Sequence, residues 1–393
     1  MAFSKEAKNT QRAFFALLQA GLWERDVELQ DCGDIDFAEV FRLGEEQAVL
    51  GLVAAGLDHV KGQKPPKEEV LKVIGKMVQL EQRNSAMNRF IGELVSRMQK
   101  EGIYTLLVKG QGVAQCYERP LWRTSGDIDF FLSDENFDKA LEYLTPLAQN
   151  VDREESYSRH IGMTIDPWIV ELHGSLRCGL SSKMDKVIDE LQEDSCGKGN
   201  VRIWKDGGTD VLLPEVNNDI LFIFTHFLKH FYKGGIGLRQ ICDWCRLLWT
   251  YKDSIDIALL EQRLRKMGLM SEWKVFGAFA VEYLGMPLEA MPLLNENDDS
   301  TASTGSVTGS LQVNDRLRRK AERICSFVME VGNFGHNRDT SYYSKYPFLV
   351  RKAISMGWRI GDLFRHARIF PLDSLRFFPK LMFDGVRSAV KGE

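Results

Sequence analysis

No apolar stretch of this chain approaches the roughly 18 residues that a membrane-spanning helix needs. Nor does one sign of charge dominate. The 51 Lys+Arg stand against 55 Asp+Glu, a net charge of −4, which argues against a chain built as a whole to coat phosphates. A secreted disulfide framework is also missing, because the seven cysteines form an odd, scattered set in a long chain. A reducing cytoplasm is the expected compartment. There is no internal repeat, and no Gly-x-Ser-x-Gly flanks a serine, so the usual nucleophile elbow of a hydrolase is absent. What is present is ordinary for a folded protein: 393 residues, 44% hydrophobic and 27% charged, enough for two or three domains with real cores. Extensive disorder is thereby excluded. The start of the chain, Arg12-Ala-Phe-Phe-Ala-Leu-Leu18 between charged neighbours, reads as a soluble helix rather than a signal peptide.

Periodicity divides the chain. Residues 1–100 repeat apolar side chains at three- and four-residue steps (Phe14, Leu17, Leu18; Val70, Val73, Ile74, Met77, Leu80) and read as helical, with Pro65-Pro66 separating two helices. Residues 101–215 change character. Tyr104-Thr-Leu-Leu-Val108 reads as a buried strand ending in a turn at Lys109-Gly110, and Asp127-Ile-Asp-Phe-Phe-Leu132 as a second strand. A helix is expected over 136–148, and Asp166-Pro167 joins two strands into a hairpin. Residues 216–294 are helical again. Residues 295–314, polar and rich in Ser, Thr and Gly, read as a flexible linker. The last region, 315–393, is helical and amphipathic. From Lys345 onward it carries ten Lys+Arg against four Asp+Glu, a solvated basic face or a contact for an acidic surface.

The chemistry-bearing residues cluster in the middle region. Alternation on a strand puts Asp127 and Asp129 on one face, roughly 6.6 Å apart at Cα, with Ile128 and Phe130 turned into the core. Such a pair repels itself unless a cation neutralises it. Mg2+ is the natural partner, and two such ions can clamp the attacking and leaving oxygens of a phosphoryl displacement; Mn2+ is the other ion admitted. In Ile169-Val-Glu-Leu-His173 the same alternation turns Glu171 and His173 outward, making Glu171 the third carboxylate. The Gly110-Gln111-Gly112 corner, with Lys109 and Arg123, offers close backbone approach and positive charge for phosphates at a helix start.

In this order, Lys109-Gly110, Tyr117, Arg123, Gly126-Asp127-Ile128-Asp129 and Glu171-Leu172-His173 resemble an uncharacterised branch of the nucleotidyltransferase superfamily with the DNA polymerase β type of catalytic fold. The resemblance covers residues 101–175 and extends loosely to His226–His230 and Gly235–Asp243. It implies an α+β core with a small mixed sheet flanked by helical regions. It also implies transfer of a nucleoside monophosphate from an NTP to a hydroxyl with release of pyrophosphate, the carboxylates holding metal. The better-known members carry Gly-Ser at the turn, where Gln111 stands here. The acceptor is left open among a sugar, a small molecule, a peptide or protein, and RNA. Rival readings are γ-phosphoryl transfer on the same fold, a toxin-like modifier of tRNA or protein, and a nucleotide-binding scaffold without turnover.

Several residues have a plainer reading beside the functional one. His226 and His230 share a helix face at zinc spacing, but Phe227 stands where a zinc protease needs its glutamate. Arg239 and Asp243, also four apart, fit a helix-surface ion pair; the resemblance instead puts His230 and Arg239 on the nucleotide cleft. Cys242 and Cys245, without a second pair, read as structural, as do Trp244 and Trp249. His160 and His173 fit either ligand orientation or hydrogen-bonded strand positions.

Overall fold

The computed structural model describes residues 5–62, 64–153, 159–197, 199–294, 313–335, 337, 341 and 345–391. Most of the expected linker lies outside these residues. Three helices, α1 (Lys5–Trp23), α2 (Phe37–Glu46) and α3 (Leu50–Leu57), precede a 34-residue helix, α4 (Lys67–Lys100). Pro66 caps α4 because a proline cannot continue a helix backwards; Glu68 and Glu69 in the first turn and Arg97 and Lys100 in the last complement its dipole.

A five-stranded sheet follows, built from β1 (Leu106–Val108), β2 (Ile128–Phe131), β3 (Asn150–Arg153), β4 (His160–Ile165) and β5 (Trp168–His173) in the order β1-β2-β5-β4-β3. Only β2 and β5 run parallel, with Asp129 beside Glu171 and Phe131 beside His173. The expected hairpin is present, Ile165 pairing with Trp168 across Asp166-Pro167. Short α5 (Gly110–Ala114) joins β1 to β2, and α6 (Asp134–Leu144) follows β2, starting and ending earlier than its apolar stripe suggested. A second hairpin, β6 (Val201–Asp206) and β7 (Thr209–Pro214), follows α7 (Ser182–Cys196). This is an α+β fold.

The two faces of the sheet differ. Ile128, Phe130, Val170 and Leu172 are buried against Met87, Ile91, Leu94 and Val95 of α4 and Phe137 of α6. At about 25 cal/mol per Å2 of apolar surface, each such side chain contributes roughly 1.5–3 kcal/mol toward holding β2 and β5 rigid. Alternation then forces the intervening Asp129, Glu171 and His173 to the other face. That face meets a helical body of α8 (Val216–Lys233), α9 (Leu238–Thr250), α10 (Ile257–Met267) and α11 (Met270–Leu284). Its core is aromatic. Trp273 lies 4.8 Å from Trp244 and 4.9 Å from Phe224, ring centre to ring centre, and α1 and α3 join the same apolar cluster. Trp244 is fully buried, and Cys242 and Cys245 are unpaired thiols in the same core.

α12 (Asp315–Val331), α13 (Phe348–Ala367) and α14 (Pro371–Lys391) complete the chain. Phe370 and Phe377 dock against Phe231 and Tyr232 of α8. On the outside, Ile360, Phe364, Leu372, Leu375 and Phe383 remain exposed.

Candidate functional site

Between β1 and α5 the backbone turns sharply. Lys109 (φ +60°) and Gly110 (φ +46°) both take positive φ, a conformation that glycine accepts and lysine resists. The turn aims Lys109 across the sheet face. Its Nζ lies 2.6 Å from Asp129 Oδ1, which also accepts a hydrogen bond from His173 Nε2 at 2.8 Å. Gly112 is needed for a different reason: a Cβ there would meet the Leu213 side chain at 2.8 Å.

Carboxylate oxygens of Asp127, Asp129 and Glu171 lie within 4.8 Å of one another. Asp129 Oδ1 and Glu171 Oε2 are both within reach of His173 Nε2, at 2.8 and 3.4 Å, and His160 Nε2 lies 3.0 Å from Glu171 Oε2. The charges are unevenly compensated. Burial works against ionisation of Asp129 and Glu171, yet Lys109 and His173 hold Asp129, and His160 and His173 hold Glu171, below the usual carboxylate range. The neighbouring charge of Asp129, with burial, pushes Asp127 the other way. Three oxygen donors with one carboxylate left repelled fit a hard divalent cation, which would relieve that repulsion.

The loop carrying Arg123 and Asp127 is clamped from both sides. Asn84 of α4 donates to the Leu121 and Arg123 carbonyls at 2.8 and 2.9 Å, and Arg239 of α9 donates to Thr124 O at 3.0 Å. Arg123 itself is buried and grips Asp243 with both arms of its fork, Nε to Oδ1 at 3.0 Å and Nη2 to Oδ2 at 2.6 Å. Tyr117 adds a third bond to Asp243 at 2.8 Å. The expected Arg239–Asp243 helix pair is therefore corrected: Asp243 turns inward to neutralise Arg123, the cation that burial would otherwise penalise most. Arg239 faces the cavity, and its buried Nε has no hydrogen-bond partner among the described residues.

A cavity of about 770 Å3 joins these parts. Lys109, Gly110, Arg123, Asp127, Asp129 and Glu171 line its sheet side, and His226, Lys229, His230, Arg239 and Gln240 its helical side. Register gives it a direction along β2: the Lys109–Gly110 corner stands at the strand's start, and Asp134 and Arg159, joined at 2.9 Å, stand at its end. His226 and His230 hydrogen-bond each other, Nε2 to Nε2 at 3.1 Å. Burial, with nearby lysines, lowers both, His230 to about 3. They are neutral imidazoles sharing a proton, and among the described residues no carboxylate completes a zinc set with them.

Two further expectations are corrected. The Gln111 side chain does not line the cavity; it is buried against α4, its Nε2 donating to Asn84 Oδ1 at 3.0 Å. Helix α5 has only five residues, so its aligned dipoles are few and anion attraction at this corner falls to backbone amides and to Lys109. Sequence reasoning missed the Asn84–Gln111 contact and the stacking of His160 on His173. The latter was findable, since strands paired about Asp166-Pro167 set those two histidines opposite one another.

A family model described as "Uncharacterised nucleotidyltransferase" matches residues 33–285, from just before α2 to the end of α11. The chain belongs to that family. Comparison with curated proteins and with solved structures gave no match. Nucleotidyl transfer is the general activity that membership carries, and an NTP the general substrate. The matched span contains the glycine corner, all three carboxylates and the helical wall of α8 and α9, while α13 and α14 with their exposed apolar side chains lie beyond it.

Proposed function

We propose that this chain is a metal-dependent enzyme that transfers a nucleoside monophosphate from an NTP to an acceptor hydroxyl. The observation that carries the reading is the meeting of Asp127, Asp129 and Glu171 beside the Lys109–Gly110 corner in one cavity. In the balanced reaction the acceptor oxygen bonds to the α-phosphorus, the bond to the β-phosphate bridging oxygen breaks, and pyrophosphate leaves with that electron pair. The hydroxyl proton passes to a carboxylate or to water. Asp127, Asp129 and Glu171 would hold a Mg2+ pair, or Mn2+ in its place, which when bound would supply charge neutralisation on the phosphates.

The remaining roles fall to the chain itself. Lys109 and the Gly110 amide meet phosphate oxygens, and Arg239, whose buried Nε has no hydrogen-bond partner among the described residues, is the strongest additional anion ligand. Arg123 acts by holding its loop through Asp243 rather than by touching phosphate. His230, neutral at physiological pH, offers a hydrogen bond to the nucleotide. The end of the cavity walled by Arg159, Ser175, Arg177, Asp189 and Gln192 supports a polar acceptor, whether sugar, small molecule, peptide or RNA end. Seven unpaired thiols support a reducing cytoplasm, and the exposed Phe364, Leu372 and Leu375 beside Arg365, Arg368 and Arg376 support contact of the tail with an acidic surface.

The test is a panel of NTPs with Mg2+, labelled separately at the α- and γ-phosphate and incubated with cell extract. Transfer of α-label with pyrophosphate release, lost in Asp127→Ala, is the expected result. Transfer of γ-label alone would make the enzyme a phosphotransferase. Nucleotide binding without transfer of either label would leave a scaffold.

A further inference from the structure

We propose that His160, Glu171 and His173 form a second cation site, of mixed nitrogen and oxygen character, suited to a transition-metal ion such as Mn2+, Co2+ or Zn2+. It adjoins the three-carboxylate site and shares Glu171 with it.

His160 on β4 and His173 on β5 are directly opposed in an antiparallel pair, so both side chains leave the same face. Glu171, two residues before His173, leaves that face too, and the residue opposite Glu171 is Gly162, which has no side chain to fill the space. The imidazole rings stack with centroids 4.5 Å apart and planes 18° from parallel. Stacking leaves the in-plane lone pairs nearly parallel, yet both Nε2 atoms lie close to a common point. That point is Glu171 Oε2, 3.0 Å from His160 Nε2 and 3.4 Å from His173 Nε2.

These separations have the size of the edges of a coordination polyhedron. Ligands held at roughly 2.1 Å lie roughly 3.0 Å apart around an octahedral ion and roughly 3.4 Å apart around a tetrahedral one. One ligand atom from each of the three residues falls within 4.8 Å of the others, so turning one ring out of the stack lets both in-plane lone pairs and the carboxylate meet one ion. Asp129 Oδ1, 2.8 Å from His173 Nε2, stands ready as a fourth donor. All three side chains line the cavity and are partly exposed, at 14–24%, so water or a ligand can complete the shell.

Ligand chemistry separates the two sites. Mg2+ prefers oxygen and an octahedron that keeps its waters, which Asp127, Asp129 and Glu171 satisfy. Imidazole nitrogen suits Mn2+, Co2+, Zn2+ and their neighbours, and two histidines with one glutamate are a known zinc set. The chain thus carries a hard site and a softer one side by side, bridged by one carboxylate. The inference rests on ligand geometry and not on the transfer reaction, and it stands whether or not nucleotide is turned over.

The test uses the full-length, metal-stripped protein with Co2+ alone, read by visible absorption, and Mg2+ alone, read by calorimetry. Co2+ is expected to bind at least about 10-fold more tightly than Mg2+, and His160→Ala to weaken Co2+ by about 10- to 100-fold and to change its visible spectrum, while Mg2+, which His160 reaches only through Glu171, is weakened less. Unchanged Co2+ affinity in a folded His160→Ala protein overturns the proposal, as does a loss seen in His226→Ala instead. Should His160→Ala fail to fold, the wild type decides: pulsed electron paramagnetic resonance of bound Mn2+ must show nitrogen coupling from imidazole, and its absence refutes the site. Loss of nucleotidyl transfer with these spectra intact would refute the catalytic reading and leave this one standing.

Discussion

Two buried carboxylates, one in the sheet region and one in the helical body, are treated in opposite ways. At the sheet face, Asp129 is 2% exposed yet stays ionised, because Lys109 and His173 meet the same oxygen. In the helical body, Glu272 of α11 is fully buried with Tyr232 donating to it at 3.0 Å, and burial, reinforced by Asp373, pushes its pKa up to about 8. The first group keeps its charge and faces a cavity. The second gives its charge up and faces a packed core. Burial of an acid is therefore not by itself a mark of function; compensating cations beside open space are.

The largest effect should come from breaking the charged region. Asp129→Asn keeps the shape and removes the charge, and is expected to lower nucleotidyl transfer by about a thousandfold or more, measured as pyrophosphate release. Wild-type activity in that variant would erase the distinction between the two regions. Glu272→Gln probes the other side. With a folded pKa near 8 against an ordinary value of 4.5, the native state holds one proton more than the unfolded chain between these values. The contribution of Glu272 to stability is thus fully present below about pH 4.5 and is lost as pH rises to about 8. Glu272→Gln, which keeps an acceptor for Tyr232, should flatten this slope and leave the protein on the order of 5 kcal/mol more stable than wild type at pH 8.5, read from thermal melts across pH.

A smaller shift should follow from adding a divalent ion. At a hundredfold excess over its dissociation constant an ion that binds only the folded state stabilises by about 2.7 kcal/mol. Mg2+ or Mn2+ should therefore raise the melting midpoint of wild type and raise it markedly less in Asp127→Asn. Asn84→Ala removes two bonds to loop carbonyls and one from Gln111; a cost of about 1–3 kcal/mol in denaturant unfolding is expected, with reduced transfer. Phe364→Ser on the exposed face of α13 should change stability by less than about 0.5 kcal/mol while lowering retention on anionic lipid vesicles.

The site was legible in the sequence to the extent that strand alternation decides direction. Asp129, Glu171 and His173 were readable as a common face because Ile128, Phe130, Val170 and Leu172 are apolar on the other, and the turn at Lys109-Gly110 announced itself by ending an apolar run. Partner choice was not legible in this way. Arg239 and Asp243 have ideal helix spacing, but a buried guanidinium more than a hundred residues earlier outcompetes the helix neighbour for the carboxylate. Gln111 looked like a phosphate ligand from its place between two glycines, and only the position of α4 reveals that its amide is used within the core.

That use of Gln111 ties parts of the molecule that look separate. A single amide, Asn84, accepts from the residue after the glycine bend and donates to the loop that delivers Asp127. Because Asn84 lies mid-way along a 34-residue helix, tilting that rod would drag the Lys109–Gly110 corner and the acidic loop together. The two halves of the candidate site travel as one piece, and a force applied at either end of the rod reaches both.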